Sequence, residues 1–496
     1  QVAAQARAQA AAQRAARLSI AMAALAFGTA LLAAARGSGP YQTYGYAAWS
    51  DPVKAGTCSP NGTALPIPLA PKTGSTPGVL ECSLQGAVRA YRFPAGIFEI
   101  GEQLLVPAYT SLTGAKAPND MANPTASPVW EEQTLFLATR GATDYFADYC
   151  HAKDMVRTRV GFVLGSFVTV RDLSYQGVDT VRPNDNNALC GGGVFETVGC
   201  AENSCAASAV NNAGSDGVGS AHVTIDNLRL NDYYYAADKA KVGASVAGNE
   251  ACGQLRRGQL RLAAKTGDST EAGDSTEECC FCKPNGVRSS QVGIWIPQTR
   301  NAEGTHDVLF TNVVSRSTQA DAVNLHGKVR NALVAGAYME NTGDDGYALW
   351  GGDDRPENVT FKDCVAVNPG VLRPRWYGNC VATYGVGSVV FDGLTCRAPT
   401  LQNPIPDPNN PSDTSRIDAS MFVFYTSFGG NYPEGNSVTI KGWTFEDLEG
   451  NAYTAADGTM DTHTTGKMVW TAAQGGAVAP FYLPDRKQQV NVYATQ

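Results

Sequence analysis

A short unit recurs along this 496-residue chain: an apolar strand, one Asn, Asp or Gly, then a second apolar strand. It reads FVTVRDLSY from Phe167, HVTIDNLRL from His222 and DVLFTNVVS from Asp307. It returns as NALVAGAYM from Asn331, NVTFKDCVA from Asn358, SVVFDGLTC from Ser388 and SVTIKGWTF from Ser437. The matching apolar positions Phe310, Val334, Phe361 and Phe391 lie 24, 27 and 30 residues apart. Alternating strands broken by a polar turn and repeated at such intervals predict a solenoid. No coil of a solenoid buries its inner face alone, so stacked coils share one continuous core. A β-sandwich also has short, turn-separated strands but does not need one unit repeated in this way. The expectation is an all-β chain whose residues 76–465 form a right-handed parallel β-helix, with insertions near 231–290 and 397–430.

Composition agrees with a turn-rich β protein: 52 glycines, 26 prolines and only 17% charged residues. A formal net charge of -8, with no basic patch carrying interleaved aromatics, speaks against nucleic acid or anionic membrane surfaces as partners. Thirteen cysteines fit an oxidising compartment. Cys190, Cys200 and Cys205 share one loop-like stretch, and Cys252, Cys279, Cys280 and Cys282 another. The run ECCFC lacks a second Cys/His pair at ligand spacing, which favours disulfides over zinc. An odd count leaves at least one thiol unpaired or bridged elsewhere. Asn61 and Asn358 head sequons and are candidate glycosylation sites. The insertion carries a tandem duplication, GDSTEA then GDSTEE, in a polar segment that reads as a surface loop.

The N-terminal region has its own signature. A basic, acid-free segment (1–17) precedes an apolar run from Leu18 to Ala35. As a helix that run spans roughly 27 Å, close to the roughly 30 Å hydrocarbon core of a bilayer. With Arg7, Arg14 and Arg17 on its N-terminal side, residues 18–35 read as a signal anchor that places the body outside the cytosol. The alternatives are a cleaved signal peptide, since LLAAARG offers small residues, and a retained organelle-targeting piece. Residues 36–75, rich in Gly, Pro, Ser and Thr, read as a linker and entry segment; 466–496 form a tail without the coil pattern.

The chemistry concentrates in GDDGYALWGGDD from Gly343. Asp344 and Asp345 lie between glycines, and Asp321 in ADAVNLHG precedes Asp344 by 23 residues. That separation is one coil, so the three carboxylates are expected on one patch, with strands roughly 4.8 Å apart. Crowded carboxylates cannot all ionise freely, and at least one should carry a raised pKa. Such a group is suited to general acid/base hydrolysis. The competing reading, Asp side chains bonding their own turn backbone, accounts for one Asp better than for three.

The stretches VGIWIPQ, QADAVNLHGKVRNALV and MENTGDDGYALW, within Val292 to Trp350, resemble the α-1,3-glucanase (mutanase) and mycodextranase family, glycoside hydrolase family 87. DLSYQGVDTVRPNDNNALCGGG from Asp172 also resembles a strand and turn of that family. The resemblance implies a β-helix of the pectin-lyase-like superfamily that hydrolyses α-1,3-linked glucan with inversion, Asp321, Asp344 and Asp345 being its catalytic carboxylates. By similarity to the pectin-cleaving hydrolases, Asp344 is the acid, while Asp321 and Asp345 position and deprotonate water. Those hydrolases add a Gly-His and an Arg-x-Lys downstream, whereas residues 351 to 400 here contain no His, which argues against a uronate substrate. A polysaccharide lyase would need a basic residue as its base, and Arg355, Arg373 and Arg375 keep that lesser alternative open. Against the family pattern, Tyr347 replaces a smaller aliphatic residue and GGDDRPEN follows Trp350. Either change is expected to reshape the cleft.

His326, Trp350, Trp295 and Asn324 are the expected sugar contacts. Each has a structural counterpart reading: a turn histidine, core tryptophans and an inward Asn stack. Tyr233 to Tyr235 is a candidate aromatic rim, and Asp353 and Asp354 read as an exposed turn. No cofactor or metal ligand set is read from the sequence. The expected partners are a polysaccharide, the membrane through residues 18–35, and partner subunits of a larger assembly. The rival class is a non-catalytic structural or interaction subunit built on the same solenoid.

Overall fold

The structure, a computed structural model, describes the chain over 88–141, 161–181, 219–242, 285–372, 378–397 and 437–446 with short gaps, and as separate strands elsewhere. Three sheets of 13, 10 and 10 strands run along it. Each coil gives one strand to each sheet. Thr305–Thr311, Val314–Ser315 and Val323–His326 make one coil; Val329–Ala335, Tyr338–Glu340 and Tyr347–Trp350 make the next. Corresponding strands pair in parallel from coil to coil, which is a parallel β-helix. Antiparallel strands close both ends. Thr63–Pro66, within the stretch read as a linker, pairs with Val79–Gln85. Near the C-terminus, Met468–Ala472 pairs with Gly458–Thr462, and Gln489–Val492 with Phe422–Tyr425.

Phe310, Val334, Phe361 and Phe391 stand in register on the first sheet, as their spacing predicts. All four are buried, and the Phe361 and Phe391 rings stack at 5.1 Å. A buried side chain of this size contributes about 1.5–3 kcal/mol by leaving water.

The polar residue between the two strands of each unit has one conformational job. Asp172, Asn227, Asn312, Gly336, Asp363, Gly393 and Gly442 all have positive φ, between 50° and 74°. The chain turns there from the first sheet to the second. The left-handed region penalises ordinary L-residues by roughly 1–2 kcal/mol, and Asn, Asp and Gly enter it most readily. A second line of left-handed residues, Tyr109, Phe167, His222, Asp307, Asn331 and Asn358, leads into the first sheet.

Cys380 and Cys396 form a disulfide between the third and second sheets, and Cys364 is a buried free thiol. Burial pushes the Cys364 thiol up to about 12, which leaves it protonated and inert. The cysteines of the 190–205 and 252–282 stretches, the duplicated insertion, Asn61 and the apolar run 18–35 lie outside the described residues. Among the described residues no helix is long and apolar enough to cross a membrane.

Candidate active site

The corner between the second and third sheets carries the three aspartates. Val323 pairs with Tyr347 across neighbouring coils, so counting two residues back sets Asp321 against Asp345. The register is tied at the corner itself: Asp345 N–H donates to Asp321 Oδ1 at 3.0 Å, and Ala322 N–H donates to the Asp345 carbonyl at 3.2 Å. The Asp344 carbonyl accepts from Gly370 N–H at 3.0 Å and from the Thr342 hydroxyl. Gly378 allows this close approach, since a Cβ there would lie 2.6 Å from the Asp344 oxygen.

One oxygen from each of Asp321, Asp344 and Asp345 lies within 4.8 Å of the others. All three residues are buried, at 4%, 7% and 1% exposure, so the cluster is not open to bulk solvent and Asp344 is its most accessible member. Burial first, then the Asp344 and Asp321 charges, hold the Asp345 pKa well above the ordinary carboxylate value. Asn379 opposes this: its N–H and Nδ2 both donate to Asp345 Oδ1, at 2.8 and 2.7 Å. The Tyr384 hydroxyl reaches Oδ2 at 3.3 Å. With Oδ1 accepting two N–H groups, a proton on Asp345 resides on Oδ2. The cluster can therefore keep one proton beside two carboxylates. Its hard oxygen donors are also the ones that a divalent cation would use.

The other expected sugar contacts separate into two groups. His326 and Trp350 are half-buried and in register with Tyr384 on the third sheet. Trp350 packs on Tyr384 with centroids 4.2 Å apart, and His326 lies 6.1 Å from Trp350. Trp295 is fully buried beside Val292 and Ala320, a packing position without an exposed face. Asn324 is buried and donates to Asp321 Oδ2 at 2.7 Å. Its in-register neighbours are Trp295 and Ala348, so Asn324 does not stand in an Asn stack. Tyr347 does not reshape a cleft. It is buried in the main core, and its hydroxyl lies 3.0 Å from both the Ala337 and Val365 carbonyls, which share its one proton.

Asp354 pairs with Lys328 at 3.4 Å, and Arg355 lies 3.8 Å from Glu357. Asp353, Arg373 and Arg375 lie outside the described residues. Asn358 is exposed, and its Nδ2 donates to Asn331 Oδ1 at 2.7 Å. Tyr235 opens a short helix over 235–242 and braces the site's corner. Its hydroxyl donates to Glu340 at 2.8 Å, and the Arg316 guanidinium lies 4.1 Å from its ring centroid. Arg316 also pairs with Glu340 at 2.9 Å.

Asn379 and Tyr384 escape a reading of the sequence. Asn379 lies 34 residues after Asp345, beyond the 24–30 residue spacing of the visible repeats. The signal that finds them is the strand VATY, Val381–Tyr384, whose first residue pairs with Tyr347.

No protein-family model matches the chain, and no curated protein matches it in sequence. Among solved structures, it is similar to the catalytic unit of a thermostable GH87 α-1,3-glucanase from Streptomyces thermodiastaticus strain HF3-3. That match has 13% identity over 62% of this chain and 34% of that one, with a TM-score of 0.29. It is also similar to the catalytic domain of a GH87 α-1,3-glucanase in complex with nigerose, at 14% identity over 73% of this chain and 49% of that one, TM-score 0.35. A third likeness is to PfbA, a surface adhesin of Streptococcus pneumoniae, at 10% identity over 82% and 92% of the two chains, TM-score 0.26. The chain spans less than half the length of both glucanases.

Proposed function

We propose that the chain is a glycoside hydrolase acting on an α-1,3-linked glucan, held outside the cytosol by residues 18–35 as an anchor. The observation that carries this reading is the meeting of Asp321, Asp344 and Asp345 within 4.8 Å, with Asp345 held above the ordinary carboxylate range. The motifs around them supply the substrate class. Asp344, the least buried of the three, meets the glycosidic oxygen and gives it a proton as the bond to the anomeric carbon breaks. In the active form the cluster's proton is on Asp344 and Asp345 is charged. The raised Asp345 pKa therefore sets the pH above which Asp321 and Asp345 hold a water against the opposite face of the sugar and take its proton as the new bond forms. The sum is addition of water across the glycosidic bond with inversion. Two-carboxylate inverting sites separate their groups by about 6.5–9.5 Å to admit the water. The tighter cluster here requires the water to sit against the Asp321–Asp345 pair instead. Asn379 and Tyr384 orient Asp345, while Trp350 and His326 border the same face.

A second reading, a non-catalytic structural or interaction subunit, is favoured by the burial of all three carboxylates. Reducing-end release from insoluble α-1,3-glucan, with dextran, nigeran and polygalacturonate as comparisons, separates the two. Release from α-1,3-glucan alone supports the hydrolase. Release from polygalacturonate points to the pectin-cleaving chemistry or a lyase. A folded chain that releases nothing from any of them is the scaffold.

A further inference from the structure

The left-handed corner leading into the first sheet carries a ladder of two halves. From one side, Tyr109, Phe167 and His222 stack ring on ring, at 4.7 Å for each step. From the other, Asn358 donates to Asn331 at 2.7 Å, and Asn331 donates to Asp307 Oδ1 at 3.0 Å. The halves meet where His222 stands in register with Asp307, and His306 adjoins the junction.

Both imidazoles address the same carboxylate oxygen. His306 Nδ1 lies 2.9 Å from Asp307 Oδ2, and His222 Nδ1 lies 3.6 Å from it. The chain holds only five histidines, so two of them at one oxygen is a concentrated donor set. The three side chains are 26–49% exposed and open to an ion from solution. The other Asp307 oxygen is held by Asn331, which leaves Oδ2 turned to the histidines, as an outer hydrogen bond orients a ligating carboxylate.

We infer that His222, His306 and Asp307 form a binding site for a borderline divalent metal such as Zn²⁺, with a fourth position left to water. Zinc takes imidazole nitrogen and carboxylate oxygen at about 2.0–2.2 Å, so tetrahedral neighbours stand roughly 3.4 Å apart. The separations of 2.9 and 3.6 Å bracket that value. Two imidazoles sharing such an ion have centroids roughly 5 Å apart, and these rings stand 5.8 Å apart. The ring nitrogens of His222 and His306 do not lie within 4.8 Å of each other, so the two side chains rotate to close by more than about 1.4 Å when the ion enters. The ion would clip the coil of Ala221–Asp226 to that of Thr305–Thr311, which the insertion separates in sequence. This site is independent of the glucan reading and of the three clustered aspartates.

Isothermal titration of the whole chain with ZnCl₂ near neutral pH tests it. The expected result is one ion bound in the micromolar range, a higher melting temperature with zinc, and no competition from Mg²⁺ or Ca²⁺. His222→Gln and His306→Gln should each weaken binding at least tenfold, and Asp345→Asn, in the other cluster, should leave this affinity unchanged. Absence of binding at millimolar zinc, or unchanged affinity in the double His variant, overturns the site. Should a variant fail to fold, the wild type answers alone. With ¹⁵N-histidine labelling, zinc should shift two imidazoles, and a titration that shifts neither His222 nor His306 sinks the proposal.

Discussion

Asp345 N–H donates to Asp321 Oδ1 at 3.0 Å, so the carboxylate of one coil fixes the backbone of the next at the point where the acidic pair begins. Asp321 therefore has a structural and a chemical part, and two substitutions separate them. Asp321→Asn keeps an oxygen for that N–H but loses the charge. Asp321→Ala loses both and leaves a buried donor unpaired, at a cost of about 1–3 kcal/mol. Both variants should lose about 10²–10⁴-fold in glucan hydrolysis, the usual worth of a positioned acid or base. Only Asp321→Ala should fall measurably in a denaturant titration.

Asp345 gives the site a pH signature. Its folded pKa is raised by burial and by its two acidic neighbours, so the folded chain binds that proton more tightly than the unfolded chain. Its stabilising contribution is fully present below the ordinary value of 3.8 and is lost as pH rises through the raised one. Asp345→Asn removes the buried charge and keeps an acceptor for Asn379. Near neutral pH it should melt about 2 °C or more above wild type, a gap that narrows on acidification, while activity is lost. A melting temperature that falls at every pH would contradict the account.

Asn379 acts through Asp345. Both of its hydrogen bonds to Oδ1 favour the charged form, and Asn379→Ala removes the one from Nδ2 while keeping the one from the backbone N–H, so the Asp345 pKa should rise further. The ascending limb of the activity profile should move to higher pH. A uniform loss of activity at unchanged profile would mean that Asn379 has only a structural part.

The repeat can be tested away from the site. Phe361→Ala opens a void under the Phe391 ring and should cost about 3–5 kcal/mol in chemical denaturation. Asn312 sits at a φ of 55°. Asn312→Val should cost roughly 1–2 kcal/mol more than Asn312→Gly, because both lose the side chain's bond to Asp226 but only valine is strained in the left-handed region.

Legibility followed coil length. Phe310, Val334, Phe361 and Phe391 were readable because their coils hold 24 to 30 residues and alternate cleanly. Asp321 and Asp345 were readable for the same reason, since nothing interrupts the coil between them. Asn379 and Tyr384 were hidden by a coil of 34 residues, and an amide or a phenol carries no signal of chemistry until it is seen against a carboxylate. Tyr347 was expected at the cleft only as a departure from the family pattern, and a larger residue at one position does not tell which way its side chain faces; here it fills the core. Trp295 shows the same limit from the other side. Alternation puts it on the outer face of the third sheet, but only its surroundings reveal that this face is covered there.

The measurement that bears most directly on the central claim compares wild type with Asp344→Asn on α-1,3-glucan, at equal folded concentration. The account predicts reducing-end release by wild type and a loss of about 10²–10⁴-fold in the variant. Binding of an α-1,3-linked gluco-oligosaccharide should survive, because a neutral amide keeps the shape of the site. Equal release by both proteins, or none by a folded wild type, would contradict it.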